Sequence, residues 1–211
     1  MTRRVTTRPA EEDDRDFLRH VYGSTREAEL ARVPWGEAER AAFIAMQFSA
    51  QHRYYREQYP QADYAIIMQD TDPVGRLYVN RGAEELRIID IAVLPAYRNR
   101  GIGTGLLRAL LAEAAAAGKP LTIHVERFNP ALRLYARLGF RAIADKGVYL
   151  LLGWTAGARD SGEDRLVAQS PRHRPEGDQE EVKRADRLMR EAIDALGQQG
   201  GDRAEEEERK G

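Results

Sequence analysis

The part of the chain that decides the fold is residues 88–107, which read IIDIAVLPAYRNRGIGTGLL. It opens with β-branched apolar residues, a composition typical of a strand buried on both faces. It then turns at Pro95 into a basic loop that contains Gly101 and Gly103. From Leu106 onward, leucines recur at helical spacing with alanines between them. The stretch therefore predicts a strand, a glycine loop and a helix in direct succession.

A glycine loop that leads into a helix favours anion binding, because free N–H groups and the positive end of the helix dipole meet there. Gly101 and Gly103 let the main chain approach an anion with no Cβ in the way. Arg98 and Arg100 add positive charge to the same loop. We therefore expect a phosphate-bearing ligand at this loop.

Two common nucleotide motifs do not match this loop. A P-loop needs Gly-Lys-Ser/Thr after four intervening residues, and no such lysine is present. A dinucleotide fingerprint needs its third glycine three residues after the second and an acidic residue about 20 residues later. Here a glycine stands at position 105 instead of 106, and residues 119–122 read KPLT without a carboxylate. Both motifs are therefore excluded.

The loop pattern Arg98-x-x-Gly101-x-Gly103, behind a strand that ends in AVLP, resembles the acyl-CoA pyrophosphate loop of the GNAT superfamily of N-acetyltransferases. A second block, NPALRLYARLGF at residues 129–140, is similar to the later motif of the same superfamily. The two motifs stand in the order that the superfamily has. The resemblance covers residues 1–154, which we expect to form one acetyltransferase domain.

The order of elements predicts a mixed α/β fold of the GNAT type, with a mostly antiparallel sheet and helices on both of its faces. Strands are predicted at residues 2–7, 64–68, 74–80, 86–94, 121–125 and 148–154. Helices are predicted from Asp13 or Asp14 to a break at 23–27, and over 37–59, 103–117 and 130–138. Tight turns join the strands between 64 and 94, so these should be antiparallel, whereas the helical crossover makes the strands at 86–94 and 121–125 parallel.

After Trp154 the composition changes. Residues 155–177 are rich in Gly, Ser, Arg, Asp and Pro, which predicts a flexible linker. Residues 178–197 regain helical periodicity and predict an amphipathic tail helix, and residues 198–211 predict a charged, disordered tail. The apolar stripe of the tail helix suggests docking on a partner or on the chain's own domain.

Composition excludes several kinds of site. The chain has no cysteine, so it has no disulfide, no thiol nucleophile and no cysteine metal site. Its four histidines do not pair at ligand spacing, so no metal site is expected. A net charge of −1 argues against nucleic-acid binding. The N-terminus lacks the apolar core of a signal peptide and no apolar run reaches membrane-spanning length, which predicts a cytoplasmic protein with no membrane partner.

The resemblance implies an N-acetyltransferase in which a primary amine attacks the thioester of acetyl-CoA directly, without a covalent enzyme intermediate. That mechanism suits a chain without cysteine. The resemblance also implies that the last part of the central strand leaves its neighbour, so that its main chain is free to pair with pantetheine. The residues it assigns to acetyl-CoA are Ile91, Val93, Leu94, Arg98, Asn99, Arg100, Gly101, Ile102, Gly103, Thr104 and Asn129.

Tyr135 aligns with the general acid of the superfamily, which protonates the departing thiolate. A phenol with an ordinary pKa of ~10 is able to donate to a thiolate. The alternative is a tyrosine that only packs beside Leu132 and Leu138 on an amphipathic helix. Asn129 has two compatible roles, as a cap of that helix and as a contact of the pantetheine arm.

The general base is less clearly indicated. His124 stands on the strand before Asn129, where relatives carry a catalytic carboxylate, and histidine titrates near neutral pH. The spacing from Asn129 to Tyr135 is one residue shorter than the commonest form, so anchoring on Tyr135 would bring Ile123 to that place instead. The remaining alternatives are Glu126, Asp90, Glu85 and proton transfer to water alone.

For partners, the resemblance implies a small-molecule or peptide amine acceptor, held by the first two helices and the segment between them, and it leaves a homodimer open. The second class of function that we weigh is a non-catalytic acyl-CoA-binding module, which would keep the loop without needing a base.

Overall fold

The computed structural model describes residues 3–157 of the 211-residue chain. The predicted tail helix at 178–197 and charged tail at 198–211 lie outside the described residues, as does most of the predicted linker. The described chain forms two compact units, which contain residues 3–21 with 61–157 and residues 22–60.

The first unit contains a seven-stranded sheet in the order β1-β2-β3-β4-β5-β7-β6. Its strands are β1 (Val5–Pro9), β2 (Asp63–Gln69), β3 (Asp72–Arg81), β4 (Leu86–Val93), β5 (Leu121–Glu126), β6 (Arg141–Lys146) and β7 (Tyr149–Trp154). Every neighbouring pair is antiparallel except β4 and β5, which are parallel. The predicted mixed, mostly antiparallel sheet with one helical crossover is therefore confirmed.

Four α-helices accompany the strands in the described part of the chain: α1 (Arg15–Leu30), α2 (Glu37–Gln58), α3 (Ile102–Ala117) and α4 (Leu132–Arg137). α3 ends at Gly118, whose φ of 64° is the left-handed conformation that terminates helices. The core of the first unit lies between the sheet and α3. Its buried members include Leu107, Leu110 and Ala114 from α3, and Leu77, Ile88 and Ile123 from β3, β4 and β5.

The predicted break at residues 23–27 is wrong, because α1 continues through them to Leu30. Gly23 allows a close approach to α2, since a Cβ at this position would meet Ile44 Cδ1 at 3.3 Å. The Thr25 hydroxyl donates to the Tyr22 carbonyl at 2.7 Å. Threonine hydroxyls within helices commonly form such hydrogen bonds to the preceding turn. Tertiary packing therefore overrides the local breaking tendency of this segment.

Further differences from the prediction concern the first strand, the last helix and one strand that was not predicted. β1 includes Pro9, which an edge strand tolerates. α4 begins at Leu132 instead of residue 130, because Asn129 forms a turn whose side-chain oxygen accepts from the Ala131 N–H at 2.9 Å. The sequence pattern also missed β6, a short edge strand with three charged residues and a bulge at Ile143.

The second unit consists of the end of α1, the segment at 31–36 and α2. Its aromatic contacts join Tyr22 to Phe48 and Trp35 to Phe43, with ring centroids 6.2 and 5.0 Å apart. Over residues 3–157, none of the helices combines the length and the apolar character that crossing a membrane requires.

Candidate active site

β4 and β5 pair only over their first three residues. The parallel register runs from Leu86 opposite Leu121 to Ile88 opposite Ile123 and then stops. β4 nevertheless continues to Val93 and β5 to Glu126, and each keeps its antiparallel neighbour on the other side. The two strands therefore separate and leave an opening between residues 89–93 and 124–126, which we call the β4–β5 opening.

A β-bulge lies where this opening begins. In the register of β3 and β4, Tyr78 faces Asp90 and Val79 faces Ile88, so Ile89 is the extra residue. A bulge bends its strand and increases the local twist. This local irregularity gives a physical reason for β4 to turn away from β5 immediately after Ile88.

The main chain of Ile91 and Val93 points into the opening. The carbonyl of Ala92 points toward β3, since a Cβ on Gly75 would lie 2.2 Å from it, and the N–H of Leu94 donates to the Val74 carbonyl at 2.9 Å. Hydrogen-bonding groups alternate in direction along a strand. Ile91 and Val93 therefore direct theirs to the side from which β5 has departed.

Leu94 differs from the two other residues predicted on this strand. Its N–H bonds to Val74, and its carbonyl accepts from the N–H of Tyr97 at 2.9 Å. Both main-chain groups are thus used within the protein. A ligand would therefore contact Leu94 through its side chain.

The glycine loop, residues 98–104, follows β4 and leads into α3. Asn99 and Gly101 have φ values of 59° and 82°, so two left-handed residues curve the main chain. Within residues 3–157, no protein group accepts a hydrogen bond from the main-chain N–H groups of residues 99–104. The next amide, that of Gly105, donates to the Gly101 carbonyl at 2.9 Å. The loop therefore presents a series of main-chain donors at the N-terminus of a 16-residue helix.

Gly103, within the same series, has open space where its side chain would be. A Cβ at this position would meet no described protein atom closer than Leu134 Cδ2, at 4.0 Å. Protein packing does not require a glycine here, whereas close approach of a ligand to the main chain does. The free amides and this space fit a diphosphate such as that of coenzyme A.

The two arginines of the loop have partners within the protein. Arg98 Nε donates to the Val93 carbonyl at 2.7 Å, which ties the loop to the end of β4. The guanidinium of Arg100 lies 5.4 Å from the ring centroid of Tyr97. Both side chains are exposed and bring positive charge to the predicted diphosphate position. Ile102 and Thr104 lie in the first turn of α3, where Ile102 is buried in the core.

Tyr135 projects from α4 into the core and is only 4% exposed. Its ring packs edge-on against Phe140 with centroids 5.4 Å apart. Burial, and after it the charge of Asp90, raise the pKa of the Tyr135 hydroxyl. That hydroxyl is therefore held in the protonated form that an acid needs, and no described residue accepts a hydrogen bond from it.

His124 lies on the face of the sheet that is opposite to α3 and the core. Leu121, Ile123 and Val125 belong to the core beneath α3, and side chains alternate along a strand. His124 therefore shares the other face with Thr122 and Glu126. His124, the predicted base, and Tyr135, the predicted acid, thus lie on opposite sides of the sheet at the same opening.

The other candidates for the base differ in how they are placed. Ile123 is buried in the core and carries no titratable group. Glu85 accepts from the Thr122 hydroxyl at 2.9 Å and pairs with Arg87 at 2.5 Å, at the closed end of β4 and β5. Asp90 borders the opening but forms an ion pair with Arg76 at 2.5 Å. One carboxylate oxygen of Asp90 is thus already engaged by Arg76 within the protein.

Sequence reasoning missed two residues that shape the opening, Gly75 and Arg76 on β3. Gly75 allows the close approach of Ala92, and Arg76 holds Asp90. A polar residue in an otherwise apolar strand pattern is the signal that pointed to Asp90, but its partner stands 14 residues away and nothing local indicates it.

The sequence model of the acetyltransferase (GNAT) family matches residues 28–140. Mycothiol acetyltransferase of Clavibacter sepedonicus is 40% identical over 67 residues, which are 32% of this chain and 21% of that relative. The chain thus spans about a fifth of the length of the curated relatives that it matches.

Among solved structures, the PaiA N-acetyltransferase of Thermoplasma acidophilum in complex with coenzyme A matches with a TM-score of 0.56 and 17% identity, over 72% of this chain and 99% of that one. An acetyltransferase of Thermus thermophilus matches with a TM-score of 0.52 and 18% identity, over 72% and 96%. At sequence identities of 17% and 18%, these matches show a shared fold only. Together with the family match over more than half of the residues, they lead to one conclusion: the chain belongs to the GNAT acetyltransferase family.

Proposed function

We propose that this protein is an N-acetyltransferase that moves the acetyl group of acetyl-CoA to a primary amine of a small molecule or peptide by direct attack. The observation that carries the proposal is the series of main-chain donors at residues 99–104 beside the β4–β5 opening, which have no acceptor among the described residues. Membership of the GNAT family and the names of the curated relatives agree with it.

In this proposal the glycine loop binds the diphosphate of the co-substrate. Residues 99–104 donate main-chain hydrogen bonds, and the dipole of α3 adds a favourable field. Ile91 and the N–H of Val93 offer strand-like hydrogen bonds to the pantetheine arm, while the Val93 carbonyl accepts from Arg98. Asn129 adds its side-chain amide from the turn between β5 and α4. When bound, acetyl-CoA supplies an acetyl thioester that is open to attack by an amine.

The chain's own residues then handle the protons. Tyr135 holds a proton on its phenol oxygen, available to the sulfur that leaves on the core side of the sheet. His124 on the opposite face receives the proton that the attacking amine loses, directly or through water. Because the acid and the base lie on different faces, the amine and the thiol product have separate sides of the opening.

The test is acceptor-dependent release of thiol from acetyl-CoA across a panel of amines, followed with a thiol reagent. The absence of cysteine helps, because every thiol detected comes from the product. We expect release with at least one amine class and its loss in the Gly103→Glu variant, whose side chain fills the space before the amides and repels the diphosphate. Binding of CoA with no release on any amine would instead favour a non-catalytic acyl-CoA-binding module.

A further inference from the structure

The ion pair between Arg76 and Asp90 is buried beside the β4–β5 opening. Arg76 Nη2 lies 2.5 Å from Asp90 Oδ2, and the two side chains are 3% and 16% exposed. The guanidinium also lies 5.4 Å from the ring centroid of Tyr78, the residue opposite Asp90. These three side chains therefore bridge β3 and β4 immediately after the bulge at Ile89.

A buried ion pair adds little to the net stability of the fold, because the cost of removing both charges from water offsets most of their attraction. The best-attested use of such pairs is to select one register among alternatives. The bulge adds one residue to β4, so the register of its second half is offset by one residue from that of its first half. A one-residue slip of that half would turn each of its side chains to the other face.

The two halves of β4 differ in how burial fixes their register. In the first half, Leu86 and Ile88 are 2% and 1% exposed, so a slip would bring two core residues out of the core. In the second half, the small residue Ala92 is buried, whereas the larger Ile91 and Val93 are only half-buried where they pack against the core. Apolar burial therefore specifies the second half less strongly, and the ion pair lies in that half.

We propose that Arg76 and Asp90 form a positioning pair that sets the register of the second half of β4 and thereby aligns Ile91, Val93 and the glycine loop for coenzyme A. The proposal rests on the proposed function of the same site. The pair acts through the strand: Arg76 faces Ala92 across the ladder and reaches diagonally to Asp90. The effect of Asp90 on the Tyr135 hydroxyl, described above, is consistent with a pair that borders the reacting atoms.

The test replaces the ion pair by a covalent bond that holds the same register. A variant with Arg76→Cys, Ala92→Cys and Asp90→Asn removes both charges and puts two thiols at facing positions of an antiparallel ladder. Facing positions have Cα separations of about 4.5 to 5.5 Å, within the range of a disulfide. The wild-type chain has no cysteine, so no other disulfide competes. Calorimetry measures the affinity of the oxidised and reduced forms for CoA, without catalysis.

We expect the reduced form to bind CoA at least about tenfold more weakly than the wild type, the equivalent of one lost charged hydrogen bond. Oxidation should restore the affinity to about threefold of the wild type or better, because the register is held again. Equal affinities of the two forms, whether both strong or both weak, would overturn the proposal. Failure of the wild type to bind CoA would instead refute the proposed function.

A near-isosteric single variant, Asp90→Asn, provides the second measurement if the triple variant does not fold. Its amide keeps the shape of Asp90 and loses its charge. We expect weaker CoA binding, by about fivefold or more, with a raised KM for acetyl-CoA and a smaller change in kcat. Wild-type affinity for CoA in this variant would also overturn the proposal.

Discussion

Replacing Gly103 with alanine separates the binding role of this glycine from any structural one. Gly103 lies in the first turn of α3, and the added Cβ would meet no described atom within 4 Å other than Leu134 Cδ2, at 4.0 Å. The folded chain therefore accommodates the methyl group. Because alanine is the better helix former by about 0.5–1 kcal/mol, the variant should be slightly more stable than the wild type.

The same methyl group should weaken CoA binding, because it adds bulk beside the loop amides that the proposal assigns to the diphosphate. Displacing the diphosphate from one charge-assisted hydrogen bond costs about 1.5–3 kcal/mol, which corresponds to about a tenfold to hundredfold loss of affinity. Stability and affinity are thus expected to change in opposite directions. A variant that damages the fold would instead lose both stability and affinity.

Gly105→Ala is the matched control. Gly105 is also a glycine of α3, and a Cβ added to it would have no described protein atom within 4 Å, but its N–H already bonds to Gly101. Two residues further along, its side chain points about 200° around the helix. We expect the same small gain in melting temperature, about 2–4 °C per kcal/mol for a domain of this size, and unchanged affinity for CoA. Calorimetry showing equal CoA affinities for Gly103→Ala and Gly105→Ala would refute the assignment of the loop.

Three further predictions concern other residues. Tyr135→Phe should lower kcat by about 10²- to 10⁴-fold with little change in CoA affinity or melting temperature, as steady-state kinetics will show; unchanged turnover would remove Tyr135 from its role. Gly75→Ala should lower the free energy of unfolding by about 3 kcal/mol or more, because its Cβ would lie 2.2 Å from the Ala92 carbonyl oxygen, and a wild-type denaturation curve would contradict this register. Asp14→Asn should cost about 1 kcal/mol near pH 7, a figure discounted for the exposure of Arg8. Arg8 holds the pKa of Asp14 below its ordinary value, so this contribution is present above the unfolded pKa and disappears as the pH falls through the folded one; a difference between wild type and variant that does not shrink as the pH is lowered would contradict it.

The elements around the site were predictable because their signals are local. The apolar run before Pro95, the glycines at 101 and 103 and the leucines that follow determine a strand, a loop and a helix within 20 consecutive residues. Gly118 and Gly139 likewise mark the ends of α3 and of the α4 segment through their left-handed conformations.

The features that escaped prediction depend on contacts between distant residues. From the sequence, Gly23 indicates a helix break, but in the structure it allows Ile44 to pack close to α1. Arg76 is an ordinary strand residue in the sequence, and only the structure shows its ion pair with Asp90. The bulge at Ile89 arises from the pairing of two strands, so neither strand shows it alone. The opening between β4 and β5 followed from the resemblance to the family, and the register now gives it a physical cause.

The central claim is that the main-chain N–H groups of residues 99–104 bind the diphosphate of coenzyme A beside the departing strand β4. The most direct measurement is an amide-resolved NMR titration of the full chain with CoA. The largest shifts should fall on the amides of residues 99–104, together with Ile91 and Val93. Saturable binding of CoA that leaves those amides unperturbed, or that shifts a different set of residues, would contradict the claim.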